Sequence, residues 1–236
     1  SKYTPMSGYK PGQVRKSLMK DLSDFKRDYV DIYWLHLPTD IEEHLEEIIT
    51  LYQEGKIRHI GISNFTLEEC KRSKAILDAH GIPLYGVQNH YSILCREWEK
   101  NGLLDWCKEN NVLFWGWAVL EEGMLVDPRI RKSSPMKFTF NRKVKKLTPL
   151  YKVMIRVAER HDIKVPQVAM AFCATKGVVP MVGCRKPEQV MDLAQAAAVR
   201  LTEKEMEKLE KAADKANVQI MGADIFRAFV LKERKR

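Results

Sequence analysis

The chain has 236 residues, of which 45% are hydrophobic, and it carries a formal net charge of +9. This length and apolar fraction allow one large buried core, so we expect a single domain over residues 1–236. No apolar run approaches the roughly 20 residues that a membrane span needs, and the first residues lack a signal-peptide pattern, so we expect a soluble, cytoplasmic protein without a membrane partner.

Charge and cysteine content narrow the expected partners. The positive charge favours anionic partners, among which both nucleic acid and phosphate-bearing cofactors qualify. The basic residues are not set among aromatic residues as in a stacking platform, so we expect no nucleic-acid binding. The five cysteines are odd in number and scattered without a C-x-x-C pair, which argues against a disulfide framework and against a zinc site.

Short β-type runs alternate with longer amphipathic segments, as is typical of parallel α/β architecture. In the first half of the chain, strands are predicted at 1–4, 30–35, 57–62, 84–88 and 112–117. The helices predicted between them cover 11–26, 40–53, 66–80 and 98–110. Gly55 is expected to end the second of these helices, and Thr66 with Glu69 forms a capping box that begins the third.

A long irregular segment is predicted at 121–147, where Gly123, Pro128 and Pro135 lie among many cations. Loops of this length inside a compact domain are usually functional lids or disordered, and this one is expected to cover a cofactor. After it, helices are predicted at 148–161, 166–175 and 187–197, a strand at 178–182, and a last helix from a second capping box at Thr202. This gives about six β/α repeats, whereas a closed barrel has eight.

Polar and aromatic residues recur where the predicted strands end. In parallel barrels the chemistry lies at the carboxyl ends of the strands, so these positions are candidates for function. They are Lys2, His36, Ser63, Asn64, Gln88, Trp117 and the segment 183–186. Each also has a purely structural alternative: a solvated lysine, a histidine bonded to backbone, a helix N-terminal turn, a packed core aromatic or a solvated basic turn.

Four stretches match the aldo-keto reductase family in order and spacing. They run from Asp28 to Pro38, Glu54 to Phe65, Gln88 to Ser92 and Pro180 to Gln189. The chain therefore resembles an aldo-keto reductase over nearly its whole length. The resemblance implies a (β/α)8 TIM-type barrel that reduces an aldehyde or ketone to an alcohol by hydride transfer from NADPH, with NADH as the alternative cofactor.

The resemblance also implies catalytic roles. Lys2 resembles the lysine, and His36 the histidine, of the family's Asp-Tyr-Lys-His tetrad, in which tyrosine is the general acid. A buried cation lowers the pKa of a neighbouring tyrosine, and a neutral imidazole can orient the carbonyl oxygen. The family's aspartate and tyrosine precede the position of Lys2, together with two β/α repeats, so the domain is expected to be N-terminally incomplete. Tyr3, Tyr9 and Tyr91 share only residue type with the missing acid.

The nicotinamide end of the cofactor is expected at three strand ends. By similarity, Ser63, Asn64 and Gln88 would hydrogen-bond the carboxamide. Trp117 stands where the family stacks an aromatic side chain on the nicotinamide ring.

The turn that follows the last predicted strand resembles the family's phosphate site. Its candidate residues are Gly183, Cys184, Arg185, Lys186 and Gln189. Free backbone N–H groups at a helix N-terminus, beside two cations, suit the 2′-phosphate of NADPH. Gln189 and Leu193 stand where the family often has an arginine and an asparagine against adenine, which leaves the preference for NADP over NAD open. In the predicted lid, Arg129, Arg131 and Lys132 are candidates for the pyrophosphate.

Two classes of function stay open from the sequence. The first is an NADPH-dependent carbonyl reductase with a small-molecule substrate. The second is a non-catalytic relative that binds the cofactor or serves as a regulatory subunit. Substrate pockets in this fold are built from variable loops, so the sequence leaves the substrate and the oligomeric state open.

Overall fold

A computed structural model describes residues 1–5, 8–130, 137–218 and 220. Six strands alternate with helices, and their order in the sheet follows their order in the chain. The strands are β1 Lys2–Tyr3, β2 Val30–Leu35, β3 Ile57–Ser63, β4 Leu84–His90, β5 Leu113–Trp117 and β6 Val178–Pro180. The expected α/β architecture is therefore confirmed.

Ten α-helices and one short 3-10 helix lie between and after the strands in the described part of the chain. The helices are α1 Gln13–Phe25, α2 Ile41–Gln53, α3 Leu67–Ala79, α4 Glu97–Lys100, α5 Leu103–Glu109, α6 Lys137–Lys146, α7 Thr148–His161, α8 Val165–Thr175, α9 Pro187–Ala196 and α10 Glu203–Ala216. The 3-10 helix covers Glu121–Gly123. Among these helices, none combines the length and apolar character required to cross a bilayer.

The chain divides into two compact units. The first unit contains the described residues of Ser1–Asn89 and Trp98–Phe114, and the second contains those of His90–Glu97 and Trp115–Gly222. The prediction of one domain over the whole chain stays a prediction.

In the first unit, β1 to β4 pair in parallel, and α1, α2 and α3 accompany them. Helix α2 buries Leu45, Ile48 and Ile49 on the face that packs near β3, because these apolar residues recur at helical spacing. The register places Ser63 of β3 opposite Gln88 of β4. Parallel pairing therefore brings the carboxyl ends of consecutive strands to one edge.

Gly61 allows β2 and β3 to carry a large side chain between them. A Cβ atom on Gly61 would lie 2.6 Å from Cζ3 and 2.9 Å from Cδ2 of Trp34, which is 5% exposed. The pairing of β3 with β4 shifts register between Ile60 and Gly61. The strand can approach the indole closely here because glycine has no side chain.

The second unit consists mainly of helices around an apolar interior. Helix α7 packs against α8 and α10, and α8 packs against β6 and α9. Leu150, Met154 and Val157 of α7 are buried, as is Leu209 of α10. The three residues of α7 are spaced three or four positions apart and form the apolar stripe of an amphipathic helix.

The local end signals read from the sequence are confirmed. Both predicted capping boxes are present, at Thr66 with Glu69 and at Thr202 with Glu205. Gly55 follows α2 with a φ of 72°, a left-handed conformation that glycine adopts without strain.

The single helix predicted at 98–110 is wrong: the structure has two, α4 and α5. The break occurs at Gly102, whose φ of 81° a continuous helix would not accommodate. The strand predicted at 178–182 also ends earlier, at Pro180.

Part of the segment predicted as irregular at 121–147 is helical. Helix α6 covers Lys137–Lys146, and it buries Phe140 and Val144, which are four residues apart, in the unit that contains α7. An apolar pair at this spacing stabilises a helix. The prediction of a loop rests on the many cations of the segment and does not take this pair into account. Whether the segment covers a cofactor stays a prediction, and Arg131 and Lys132 lie outside the described residues.

Candidate functional site

Within the first unit, the predicted residues at the ends of β1 to β4 come together. Lys2 of β1 lies in register with Trp34, and the side chain of Lys2 reaches across the sheet to β4. There its Nζ donates a hydrogen bond to Oε1 of Gln88, which is 1% exposed. Burial lowers the pKa of the Lys2 ammonium. The side-chain carbonyl of Gln88 therefore replaces water around a half-buried cation.

His36 follows β2 and lies at the same edge. Its Nδ1 is 2.8 Å from Oγ1 of Thr4, so the imidazole is held by a hydroxyl from the neighbouring chain segment. Burial, and then the positive charge of Lys2, lower the pKa of His36 to about 4. The ring is therefore neutral at pH 7, and when the Thr4 hydroxyl donates to Nδ1, the ring proton is on Nε2.

The sequence reading did not identify Thr4 as a site residue. The signal was present: Lys2 and Thr4 are two positions apart at a strand end, and alternating residues of a strand point to the same face. The alternation of the strand thus places the side chain of Thr4 on the same side as that of Lys2.

Ser63 and Asn64 form a bonded turn at the end of β3. The hydroxyl of Ser63 donates to the backbone carbonyl of Gln88 at 2.8 Å. The side-chain nitrogen of Asn64 donates to the hydroxyl of Ser63 at 3.2 Å and to the carbonyl of His36 at 3.1 Å. Asn64 has a φ of 65°, a left-handed conformation that asparagine tolerates better than most residues. These bonds tie the ends of β2, β3 and β4 into one network.

Asn89 supports this edge through two hydrogen bonds of its side chain to the backbone of Phe65. Its buried side chain accepts from the backbone N–H of Phe65 at 3.2 Å and donates to the carbonyl of Phe65 at 2.8 Å. The side-chain amide therefore imitates a neighbouring strand and holds the segment after Asn64 against β4.

Tyr3 and Tyr9 do not join Lys2. Tyr3 points to the opposite face of β1, where its hydroxyl donates to Oε1 of Gln13 at 3.2 Å. The rings of Tyr3 and Tyr9 lie 5.3 Å and 5.2 Å from the imidazole of His44. Burial, and then the charge of Glu47, raise the pKa of Tyr3. The alternation of β1 thus sends Lys2 to the site and Tyr3 to the helix layer.

Trp117 ends β5 in the second unit and is partly exposed. One face of its indole is stacked on the imidazole of His90, with ring centroids 4.5 Å apart and planes 20° from parallel. Tyr91, the third tyrosine considered as an acid, is fully buried in this unit. Trp117 is thus packed on one face and partly exposed, and its role at the nicotinamide ring stays a prediction.

The segment 183–189 is an exposed turn of the second unit between β6 and α9. Gly183, Cys184, Arg185 and Lys186 are exposed, and a Cβ on Gly183 would meet no atom within 4 Å. Lys186 is the extended residue before α9, and Pro187 begins the helix. The turn therefore presents two cations beside open space.

Two of the backbone donors expected to be free in this turn are already bonded. Oε1 of Gln189 accepts from the N–H of Arg185 at 2.7 Å and from the N–H of Lys186 at 3.2 Å. Gln189 thus occupies the position that an anion would take at this helix start. The sequence placed Gln189 at the site but did not reveal that its side chain caps the turn.

The sequence profile of the Aldo/keto reductase family matches residues 1–214. The chain belongs to the aldo/keto reductase family. Residues 1–214 include every candidate position from Lys2 to Gln189. The resemblance read from the four sequence stretches is therefore confirmed.

Curated relatives of the chain carry the names of oxidoreductases. It is 26% identical over 204 residues to an aryl-alcohol dehydrogenase of Pestalotiopsis microspora, covering 84% of the chain and 53% of the relative. It is 27% identical over 211 residues to the chloroplastic pyridoxal reductase of Arabidopsis thaliana, covering 86% of the chain and 58% of the relative. The chain thus spans little more than half the length of these relatives.

Among solved structures, the chain resembles an aldo-keto reductase of Klebsiella pneumoniae determined in complex with NADPH. The TM-score is 0.70 at 23% identity, and the match covers 89% of this chain and 68% of that one. At this identity the likeness establishes the fold alone, which is the (β/α)8 barrel type.

Proposed function

We propose that this protein reduces an aldehyde or ketone to an alcohol with NADPH as the hydride donor. The observation that carries the proposal is the meeting of Lys2, His36 and Gln88 at one edge of the first unit. A half-buried cation beside a neutral imidazole is an arrangement that can bind and polarise a carbonyl oxygen. Membership of the aldo/keto reductase family and the reductase names of its relatives support the same reaction class.

His36 and Lys2 have different roles: His36 binds the substrate oxygen, and Lys2 acts on the acid that delivers the proton. Nε2 of His36 carries a proton at neutral pH when Thr4 donates to Nδ1, so it can donate a hydrogen bond to the substrate oxygen. Negative charge grows on that oxygen as the carbonyl carbon is reduced, and a fixed donor stabilises it. The ammonium of Lys2 lowers the pKa of any acid that delivers the final proton beside it.

The nicotinamide end of the cofactor would be held by Ser63, Asn64 and Gln88. Ser63 uses its proton on the carbonyl of Gln88 and one lone pair on Asn64, so a second lone pair is left for a carboxamide N–H. Trp117 would stack on the nicotinamide ring. A bound NADPH supplies the hydride that reaches the carbonyl carbon.

The phosphate end would be held by the turn Gly183 to Lys186. Arg185 and Lys186 supply charge, and the N–H groups that now serve Gln189 are donors of the kind a phosphate accepts. Cys184 would contribute its backbone, and Gln189 would either yield its two bonds to the phosphate or turn toward adenine. If Arg185 and Lys186 contribute little to binding of the 2′-phosphate, NADH would bind as well as NADPH.

A second candidate function is cofactor binding without turnover. The placement of Tyr3 and Tyr9 favours it, because both rings lie against His44 and the hydroxyl of Tyr3 is bonded to Gln13. Neither tyrosine therefore supplies an acid beside Lys2.

The test combines binding with turnover. NADPH binding is followed by protein fluorescence, and turnover by the loss of the absorbance of reduced nicotinamide with a panel of aldehydes and ketones. We expect binding, carbonyl-dependent oxidation, and a loss of about 100-fold or more in kcat for His36→Gln with NADPH binding retained. His59→Gln is the matched control, because His59 is an exposed strand histidine stacked on Tyr85 at 4.5 Å.

Each other outcome has a defined meaning. Binding without oxidation by any carbonyl would support the second candidate. Full activity of His36→Gln would remove the imidazole from the reaction. Absence of both binding and oxidation would refute the reductase assignment.

A further inference from the structure

A buried polar cluster in the second unit lies outside the residues assigned above. His90 is 1% exposed, and its Nε2 is 2.9 Å from Oε1 of Glu121, a carboxylate that is also almost completely buried. The hydroxyl of Ser92 donates to the same carboxylate oxygen. Burial alone would lower the pKa of His90, but hydrogen bonding with Cys95 and Glu121 and the charge of Glu121 raise it to about 10. The imidazole of His90 is therefore protonated at neutral pH and lies against the side chain of Glu121.

Burying this cluster costs free energy, which its contacts must offset. Two charges removed from water are stabilised only when geometry and hydrogen bonds are good, and an apolar pair of similar volume is often as stable. The hydroxyl of Ser92 bonds Glu121, and it accepts from the N–H groups of Leu94 and Cys95 at 3.0 Å and 3.1 Å, so the backbone after Ser92 belongs to the same network.

The backbone that carries Glu121 is itself held in an uncommon conformation. Ala118, Glu121 and Glu122 all have positive φ, at 57°, 48° and 53°, and Gly123 follows at 96°. Left-handed conformations are strained for residues other than glycine, and they persist only where the surroundings fix them. The hydrogen bond from the N–H of Glu121 to the carbonyl of Ala118, at 2.8 Å, closes this turn directly after Trp117.

The cluster contacts Trp117 through His90. The imidazole of His90 covers one face of the indole at 4.5 Å, and the N–H of Tyr91 donates to the carbonyl of Trp117 at 3.2 Å. One face of the indole therefore lies against an imidazole that is itself bonded to Glu121.

We propose that His90 and Glu121 are positioning residues: their buried pair holds the indole of Trp117 in one orientation and so fixes the surface against which a nicotinamide ring stacks. The identity of the ligand rests on the proposed function, whereas the pairing of His90 with Glu121 rests on the contacts given above. Stacking of aromatic rings contributes about 0.5 to 1.5 kcal/mol, which corresponds to a change in affinity of up to about tenfold.

The first experiment requires no cofactor. The emission of Trp117 is obtained as the difference between the wild type and Trp117→Phe and is followed against pH. A charged imidazole stacked on an indole quenches its emission more than a neutral one, so emission should rise at alkaline pH, near the pKa of His90 of about 10. In Glu121→Gln the rise should move to about pH 6.5 or below, because the carboxylate no longer supports the charge.

Two controls identify the titrating group. The thiol of Cys95 also faces His90, and Cys95→Ser should retain the alkaline rise. His59→Phe should leave it unchanged. A wild type without the rise would overturn the proposal even if Glu121→Gln proved too unstable to study. A rise that Glu121→Gln does not move would also overturn it.

The second experiment measures NADPH. Glu121→Gln should weaken NADPH binding by up to about tenfold, whereas His59→Phe should not change it. Unchanged affinity in Glu121→Gln, with binding present in the wild type, overturns the inference. Absence of NADPH binding in the wild type instead counts against the proposed function, and the pH titration still decides whether the pair controls Trp117.

Discussion

Replacing Gly61 with alanine tests the packing that aligns the ends of β2 and β3. The new Cβ would lie 2.6 Å from Cζ3 and 2.9 Å from Cδ2 of Trp34, whereas carbon atoms pack best at about 3.5 to 4.0 Å. The indole is almost fully buried, so it has no solvent to move into. Overpacking of this kind typically costs about 1 to 3 kcal/mol, and we expect Gly61→Ala to lie in the upper half of this range.

The assay is urea unfolding followed by circular dichroism, with Gly183→Ala as the control. Gly183 has open space around the position of a Cβ, so its substitution should change the free energy of unfolding by less than about 0.5 kcal/mol. Trp34→Leu removes the ring that the new methyl group would strike, so the double variant should be more stable than the sum of the two single losses predicts. A Gly61→Ala protein as stable as the wild type, or strictly additive losses, would refute the steric argument.

The remaining predictions concern the exposed turn and a buried carboxylate. Arg185→Ala should weaken NADPH binding by about tenfold or more while leaving NADH affinity nearly unchanged, and equal losses for both cofactors would show that Arg185 does not contact the 2′-phosphate. Glu205 is buried, which opposes its ionisation, yet hydrogen bonds from Thr202, His161 and Arg160 lower its pKa from 4.5 to about 2. Because the folded pKa is lowered, Glu205 stabilises the fold above pH 4.5 and this contribution, at most about 3 kcal/mol, is lost as the pH falls toward 2. Urea unfolding between these pH values should therefore show a steeper loss for the wild type than for Glu205→Gln, and parallel losses would contradict the assignment.

The positions of the strands and of most helices followed from the sequence because they depend on local pattern. Alternating apolar residues, capping boxes at Thr66 and Thr202, and Gly55 after α2 act within a few residues of one another. The helix boundary at Gly102 and helix α6 were not predicted, because each depended on a backbone angle or a buried face that composition did not reveal.

The sequence also determined which strand-end residues to consider, because parallel strands deliver their carboxyl ends to one edge. It did not determine what those residues do to each other. The contact between Lys2 and Gln88 joins positions 86 residues apart, and the lowered pKa of His36 results from burial and from the charge of Lys2. Both depend on the register of β1 to β4, which is set by packing across the sheet.

The tertiary structure alone revealed the contacts of Gln189 and the pair formed by His90 and Glu121. A glutamine that caps its own turn and a carboxylate that fixes an imidazole under Trp117 look, in the sequence, like ordinary polar residues near predicted loops. Local preferences of a polypeptide select elements and their ends, whereas the free energy of a buried charge depends on which partners the folded chain brings within hydrogen-bonding distance.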